Sequence, residues 1–349
     1  MVIDPDSVEV MNPVKGKSLI ALQTCTLPDY KERLIVQGES WSKNTRRTPE
    51  AAVLRSHGGD LASVRFEHQV ELRTDVRLSV LASGSSGNAT YIETLGGGLL
   101  VDAGLSRRRI EALLYRIGRS LEDVGAVLLT HGHADHTCGV RSLVRERGVE
   151  VFAASGVGAS LGAHAVEPGE TFGVGSLTAT FFEVPHDSLT YGVRVSDGTG
   201  VVAVATDLGE AGPEVLRRMR GAETVVLEAN HDPDWLRRGP YAADLKSRIS
   251  SRSGHLSNRQ AAEAALALAP HGLRDLILAH LSKTNNSPAR ACGTVHGALR
   301  EAGHGDIRVR AALADHPTHW TEVGAPLEAS GYVYRYGERG STGQLFGIE

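Results

Sequence analysis

The stretch Thr130-His131-Gly132-His133-Ala134-Asp135-His136, directly after the apolar run Ala126-Val127-Leu128-Leu129, constrains this chain more than any other. Neutral imidazoles and a carboxylate suit a divalent first-row metal such as zinc or manganese. A tight loop after a buried strand can hold four such donors in a fixed array. The ordinary alternative is a polar loop that happens to be rich in histidine. With His at 15 of 349 positions, His-x-His-x-x-His arises by chance about 0.03 times in such a chain, so the metal reading leads.

A chain of this length, 41% hydrophobic and 22% charged, can bury a large core around such a loop. Forty glycines with only 5% aromatics predict tight loops and a core of Val, Leu, Ala and Ile. The net charge of −4 gives no global positive field, so a nucleic-acid substrate has to be held locally. Cys25, Cys138 and Cys292 are too scattered for a disulfide framework, which points to a reducing cytoplasm. No apolar span approaches the ~20 residues of a membrane helix, and Met1 to Asp6 carries two acids where a signal peptide is basic. The expectation is a soluble cytoplasmic protein with no membrane contact and no obligate protein partner.

Residues 1–75 show mixed charge and no long periodicity apart from a short helix near Glu50 to Arg55, and read as a loosely ordered extension. From Val76 short strands alternate with helices. Ser106 caps a helix to Ile117, Cys138 to Arg147 is helical, and Ser257 caps a helix whose Ala261, Ala262, Ala265 and Leu266 share a face. Strands continue through Leu177 to Val184, Tyr191 to Val195, Val201 to Ala205, Thr224 to Leu227 and Leu273 to Ala279. Two face-to-face sheets with helices outside satisfy this order. The patterned domain spans residues 76–323, and 324–349 read as a tail.

One loop does not by itself complete the shell of a buried metal, so further donors are sought at later strand ends. His186, Asp207 and His280 each stand just past a buried apolar run. A lone histidine there is more often a packed residue than a ligand, and at this point both readings stand.

The motif together with Ser79 to Asn88, Leu100 to Gly104, Thr206-Asp207-Leu208, Leu227 to Asp232, Gly254-His255-Leu256-Ser257 and Leu278 to Ser282 resembles the metallo-β-lactamase superfamily, in particular its YycJ/WalJ nuclease branch. The resemblance implies an α/β fold, the four-layer αββα sandwich, and two divalent metal ions. It assigns His131, His133 and His186 to the first metal, Asp135, His136 and His280 to the second, and Asp207 to both. A metal-bridged hydroxide is then the nucleophile, with Asp135 also accepting a proton. Asp102 would fix the ring of a metal histidine. His255 and His280 also resemble the paired late histidines of the tRNA 3′-processing endonucleases, which makes His255 the general acid. Glu228 and His231 would support the ligands, with His231 in reserve as one.

Ser85, Ser86 and Asn88 lie in a Gly-rich turn that is either plain chain reversal or a nest for a phosphate. Arg248 belongs to a basic stretch, Arg237, Arg238, Lys246, Arg248 and Arg252, that is either a solvated face or a phosphate track. The reading is a dinuclear phosphodiesterase, a DNA nuclease of the 5′→3′ exonuclease type. The alternatives are a small-molecule phosphodiesterase or thioesterase on the same site, and a metal-stabilised binding or regulatory protein without turnover.

Overall fold

The computed structural model of the protein describes residues 76–323 throughout and, outside them, the backbones of five short strands. The chain divides into units Met1–Leu72 and Arg73–Glu349. In the first, β1 (Val2–Ile3), β2 (Leu19–Gln23) and β3 (Arg33–Glu39) form an antiparallel sheet of order β1-β3-β2. Sequence reading anticipates no strand here, because apolar runs such as Leu19-Ile20-Ala21-Leu22 are short and set among mixed charges. The helix expected near Glu50 lies outside the described residues.

The second unit runs β4 (Val76–Ala82), β5 (Ala89–Thr94), β6 (Gly97–Val101), α1 (Arg107–Arg116), β7 (Val124–Leu129), α2 (Ala134–Thr137), α3 (Val140–Arg147), β8 (Glu150–Ala154) and β9 (His164–Val166). It continues with β10 (Thr171–Val174), β11 (Leu177–Val184), β12 (Thr190–Ser196), β13 (Val201–Ala205), α4 (Pro213–Met219), β14 (Thr224–Glu228), α5 (Pro233–Arg238), α6 (Ala243–Ile249) and α7 (Asn258–Leu268). After these come β15 (Asp275–Ala279), α8 (Pro288–Glu301), β16 (Arg308–Ala311) and β17 (Thr321–Val323). Within the expected tail, β18 (Tyr332–Tyr334) pairs antiparallel with β19 (Leu345–Gly347).

Two seven-stranded sheets result, ordered β17-β4-β5-β6-β7-β8-β9 and β10-β11-β12-β13-β14-β15-β16. Each has the same plan. The first four strands pair antiparallel and the last four parallel, with the change of sense at β6 in one sheet and β13 in the other.

Side-chain parity assigns the layers. Phe181, Val193, Val195, Val202, Val204, Val226 and Ile277 join the core shared with the first sheet. Their neighbours Phe182, Ala203, Ala205, Val225, Leu227, Leu276 and Leu278 face the other way, against Val215 and Met219 of α4, Ala261 and Ala265 of α7 and Val295 and Leu299 of α8. Ile110, Leu113 and Leu114 of α1 and Val140 and Leu143 of α3 cover the first sheet. The architecture is a four-layer αββα sandwich, and a one-residue slip in any central strand would move its whole apolar set to the wrong layer. Among the described residues no helix is long and apolar enough to cross a membrane.

Candidate metal centre

The donors meet at the edge where strands running in one direction, β6 and β7 in one sheet and β11, β13 and β15 in the other, have their carboxyl ends. Asp102 follows β6, His131 to His136 follow β7, His186 follows β11, Asp207 follows β13 and His280 follows β15. Parallel strands direct their carboxyl ends to one edge, so loops distant in sequence converge there.

Among the described residues three non-glycine positions have positive φ, and all belong to this edge: Asp102 at 62°, Asp207 at 58° and His280 at 53°. Such backbone costs ~1–3 kcal/mol each and persists only where surroundings enforce it. The Asp102 amide donates to Leu128 O at 2.9 Å, and the His280 amide to Ser83 Oγ at 2.7 Å.

His131, His133 and His186 offer nitrogens within 4.8 Å of one another, as do the donors of the groups Asp135, His136, His280 and His131, His136, Asp207. His136 Nε2 lies 3.1 Å from Asp207 Oδ2 and 3.6 Å from Asp135 Oδ2; His280 Nε2 lies 3.5 Å from Asp207 Oδ1 and 3.7 Å from Asp135 Oδ2.

Hydrogen bonds behind the rings settle which nitrogen faces this space. His136 Nδ1 lies 2.7 Å from Asp102 Oδ2 and His280 Nδ1 3.0 Å from Glu228 Oε1. His186 Nδ1 lies 3.1 Å from Gly254 O. The Thr130 hydroxyl donates to Asp102 Oδ2, so at 3.0 Å it can only accept from His131 Nδ1. Each outward nitrogen therefore donates, and each Nε2 is the atom turned inward, where a cation that displaces any proton there would take its lone pair.

Charge follows the same layout. Burial pushes His131 down to about 4, helped by His136. Burial opposes a charge on His136 too, but the carboxylates of Asp102 and Asp207 carry it up to about 10. Asp207 is held well below the carboxylate range against its own burial, by His280 and His136. Asp207 Oδ2 and His280 Nε2 are buried without a hydrogen-bond partner. An unsatisfied polar atom is costly to bury. A divalent cation would satisfy both, so this donor set fits a metal.

His255 joins Asp207, Glu228 and His280, its Nδ1 2.8 Å from Glu228 Oε1. One fully buried carboxylate oxygen thus orients two rings. His231 stands apart: it is buried, belongs to none of the donor groups, and its Nδ1 has no partner. It neither joins the donors nor props one through a hydrogen bond.

Ser85 and Ser86 are exposed at the tip of the Gly-rich turn. Asn88 departs from the expectation of a substrate-binding residue. It is buried, and its Oδ1 accepts from the Gly84 amide at 2.8 Å, pinning the turn from inside; its Nδ2 lies 3.0 Å from His136 Nε2. Arg248 reaches the rim, where its Nε donates to Asp187 Oδ2 at 3.1 Å. Arg252 pairs with Glu210 at 2.6 Å and Arg237 with Asp234 at 2.8 Å, so part of the basic stretch is neutralised by acids, two of them distant in sequence.

Thr130, Ser83 and Asp187 also belong to the site, the last with Oδ1 3.2 Å from His186 Nε2. Thr130 and Ser83 stand inside stretches that the sequence singles out and Asp187 stands beside His186, but none was given a role of its own there. Gly104 is a further hidden part: a Cβ there would lie 1.6 Å from Asp135 O.

The description "Beta-lactamase superfamily domain" matches residues 98–281. Over 265 residues the chain is 37% identical to a protein named exodeoxyribonuclease WalJ from Streptococcus pneumoniae serotype 2 (strain D39 / NCTC 7466), covering 71% of this chain and 98% of that one. It is 33% identical over 244 residues to exodeoxyribonuclease YycJ of Bacillus anthracis, covering 66% and 91%. Among solved structures, the metallo-β-lactamase fold protein YhfI from Bacillus subtilis is similar with a TM-score of 0.53 at 19% identity, over 70% of this chain and 99% of that one. The short form of human tRNase Z is similar at 0.51 and 14%, over 69% and 98%.

Proposed function

The chain belongs to the metallo-β-lactamase superfamily and is a metal-dependent hydrolase, and from that premise we propose a nuclease acting on DNA, of the 5′→3′ exonuclease type. What carries the reading is the convergence of His131, His133, Asp135, His136, His186, Asp207 and His280 around the unpaired atoms Asp207 Oδ2 and His280 Nε2. The named activity of a relative 37% identical favours DNA as the polymer.

In this reading His131, His133 and His186 would hold one divalent ion, zinc or manganese. Asp135, His136 and His280 would hold the other, with Asp207 placed to serve both. When bound, such ions would supply Lewis acidity to water and to a phosphoryl oxygen. The chain's own groups manage protons and position. Burial would raise the Asp135 carboxyl, but His280 and His136 keep it below its usual range, ready to take a proton from the attacking water. Burial would lower His255, and Glu228 outweighs it, so the ring is held above its ordinary value and its protonated form is favoured. With Nδ1 committed to Glu228, its Nε2 is the group that protonates the departing oxygen. Ser85, Ser86 and Arg248, exposed at the rim, hold the flanking phosphates.

The test is metal-loaded protein with 5′- and 3′-end-labelled single- and double-stranded DNA, matching RNA, and a bis-aryl phosphodiester. Early release of the 5′ label from DNA, with the 3′-labelled strand shortening progressively, is expected. Cleavage of the small diester alone would instead establish a small-molecule phosphodiesterase. Absence of any turnover would leave a metal-stabilised binding protein.

A further inference from the structure

From Arg237 to Ser253 no residue is buried, and α6, in the middle of this segment, contributes none to the core. A helix with no packed face owes its place to its ends and to polar ties. The carboxyl end is firmly anchored. A Cβ on Gly254 would lie 2.2 Å from Arg248 O, and one on Gly209 would lie 2.4 Å from the Arg252 carbonyl carbon, so backbones approach as only glycine allows. Gly254 O also holds the His186 ring. The rest is tied by Lys246 Nζ to Arg237 O at 3.0 Å and by two solvent-exposed ion pairs, Arg248 with Asp187 and Arg252 with Glu210. Exposed pairs of this kind add little stability.

The segment's charge contrasts with the chain's. Residues 233–253 carry five cations, Arg237, Arg238, Lys246, Arg248 and Arg252, against two acids, Asp234 and Asp244, a balance of +3 in a chain of net −4. The line of charge ends at the metal centre, because the partner of Arg248 is Asp187, whose other oxygen lies 3.2 Å from His186 Nε2. The Arg248 side chain is 68% exposed and that of Asp187 28%, so a phosphate can reach the guanidinium and replace the carboxylate.

We infer that residues 237–253 are a docking strap for the sugar-phosphate backbone of a polynucleotide strand, and that Arg248 exchanges Asp187 for a phosphate when the strand binds. This rests on the nuclease reading of the same site. An anionic lipid surface would also attract such a charge. Among the strap's large apolar side chains only Leu245 is well exposed, at 41%, too little for an inserted face, so the polynucleotide is the better fit.

The test is binding of a fluorescently labelled oligodeoxynucleotide to the full chain in EDTA, followed by anisotropy across a salt series. Each lost phosphate contact should flatten the salt slope by about 0.7. Arg237→Glu with Lys246→Glu should weaken binding roughly tenfold while hydrolysis of a bis-aryl phosphodiester by the metal-loaded protein stays unchanged. Arg248→Ala should weaken binding and Asp187→Asn should tighten it about threefold, because the competing partner is gone. Opposite signs identify the exchange; a purely structural pair would make both variants bind more weakly, and that result would overturn it. If the wild type binds the oligonucleotide and no strap variant changes affinity or slope, the strap is wrong and the nuclease reading stands. If the wild type hydrolyses the small diester and never binds the oligonucleotide, the nuclease reading itself fails. Capture of the protein by phosphatidylserine vesicles in preference to the oligonucleotide would overturn the choice of partner.

Discussion

His255 and His280 lean on the same oxygen of Glu228, at 2.8 and 3.0 Å, yet the proposed mechanism gives them different work. His280 Nε2 is buried among donors, whereas the His255 side chain is 23% exposed. His255→Ala should therefore keep the metal content of the wild type while slowing natural diester cleavage by roughly 10² to 10⁴. A nitrophenolate leaving group, which needs no proton, should restore most of that rate. His280→Ala should lose metal and gain nothing from the activated leaving group. Loss of metal from the His255 variant, measured by elemental analysis, would move that ring among the ligands. The donors of the loop 131–136 stood out in the sequence because their spacing is improbable, whereas His186, Asp207, His255 and His280 received their roles only through the family resemblance. Among their supports Asp102 and Glu228 were expected from the resemblance, and the hydroxyl residues were not. Thr130 and Ser83 are ordinary hydroxyl residues, and only the fold shows one locking the His131 tautomer and the other holding the His280 backbone.

Elements with long apolar runs or clear caps were read closely. Ser106 accepts from the Arg109 amide at the start of α1, and Ser257 with Gln260 forms a capping box at the start of α7. Short elements escaped: α2, α5, β9, β10, β16 and β17 are three to six residues each, too brief for a period to register. The close approach between the β6–α1 connection and the metal loop was equally invisible, since a glycine states only that a side chain is absent. The Asn88 amide donates to Asp135 O at 2.8 Å, and the Gly139 amide to Ala103 O at 2.8 Å, fixing the loop against Gly104. Gly104→Ala should consequently push Asp135 out of place through backbone, which cannot swing aside. A loss of ~1–3 kcal/mol in stability is expected from the overpacking, together with weaker metal binding. A chemical-denaturation midpoint and a metal titration on one preparation would check both, and an unchanged midpoint would show that the loop yields freely.

On the scale of the whole molecule, residues 76–323 contain both hydrophobic clusters and every proposed ligand. Removing residues 1–74 should then leave a folded protein with its metal content intact; insoluble expression, or loss of metal, would show that the first unit is needed by the second. The order of strands and helices was legible from their alternation, but the matched plan of the two sheets was not, because it lies in pairing sense and not in residue type. That plan has a mechanical consequence. The strands where pairing changes sense, β6 and β13, are each followed by an aspartate with positive φ, Asp102 and Asp207, and neither half of the sandwich holds a full donor set. His131, His133, Asp135 and His136 issue from one sheet, and His186, Asp207 and His280 from the other. Metal bound at this edge would be a rivet across the seam, adding about 2.7 kcal/mol when the free ion stands at a hundred times its dissociation constant. A chelator would then remove that reinforcement and silence the chemistry, while the apolar core shared by the two sheets still holds them together.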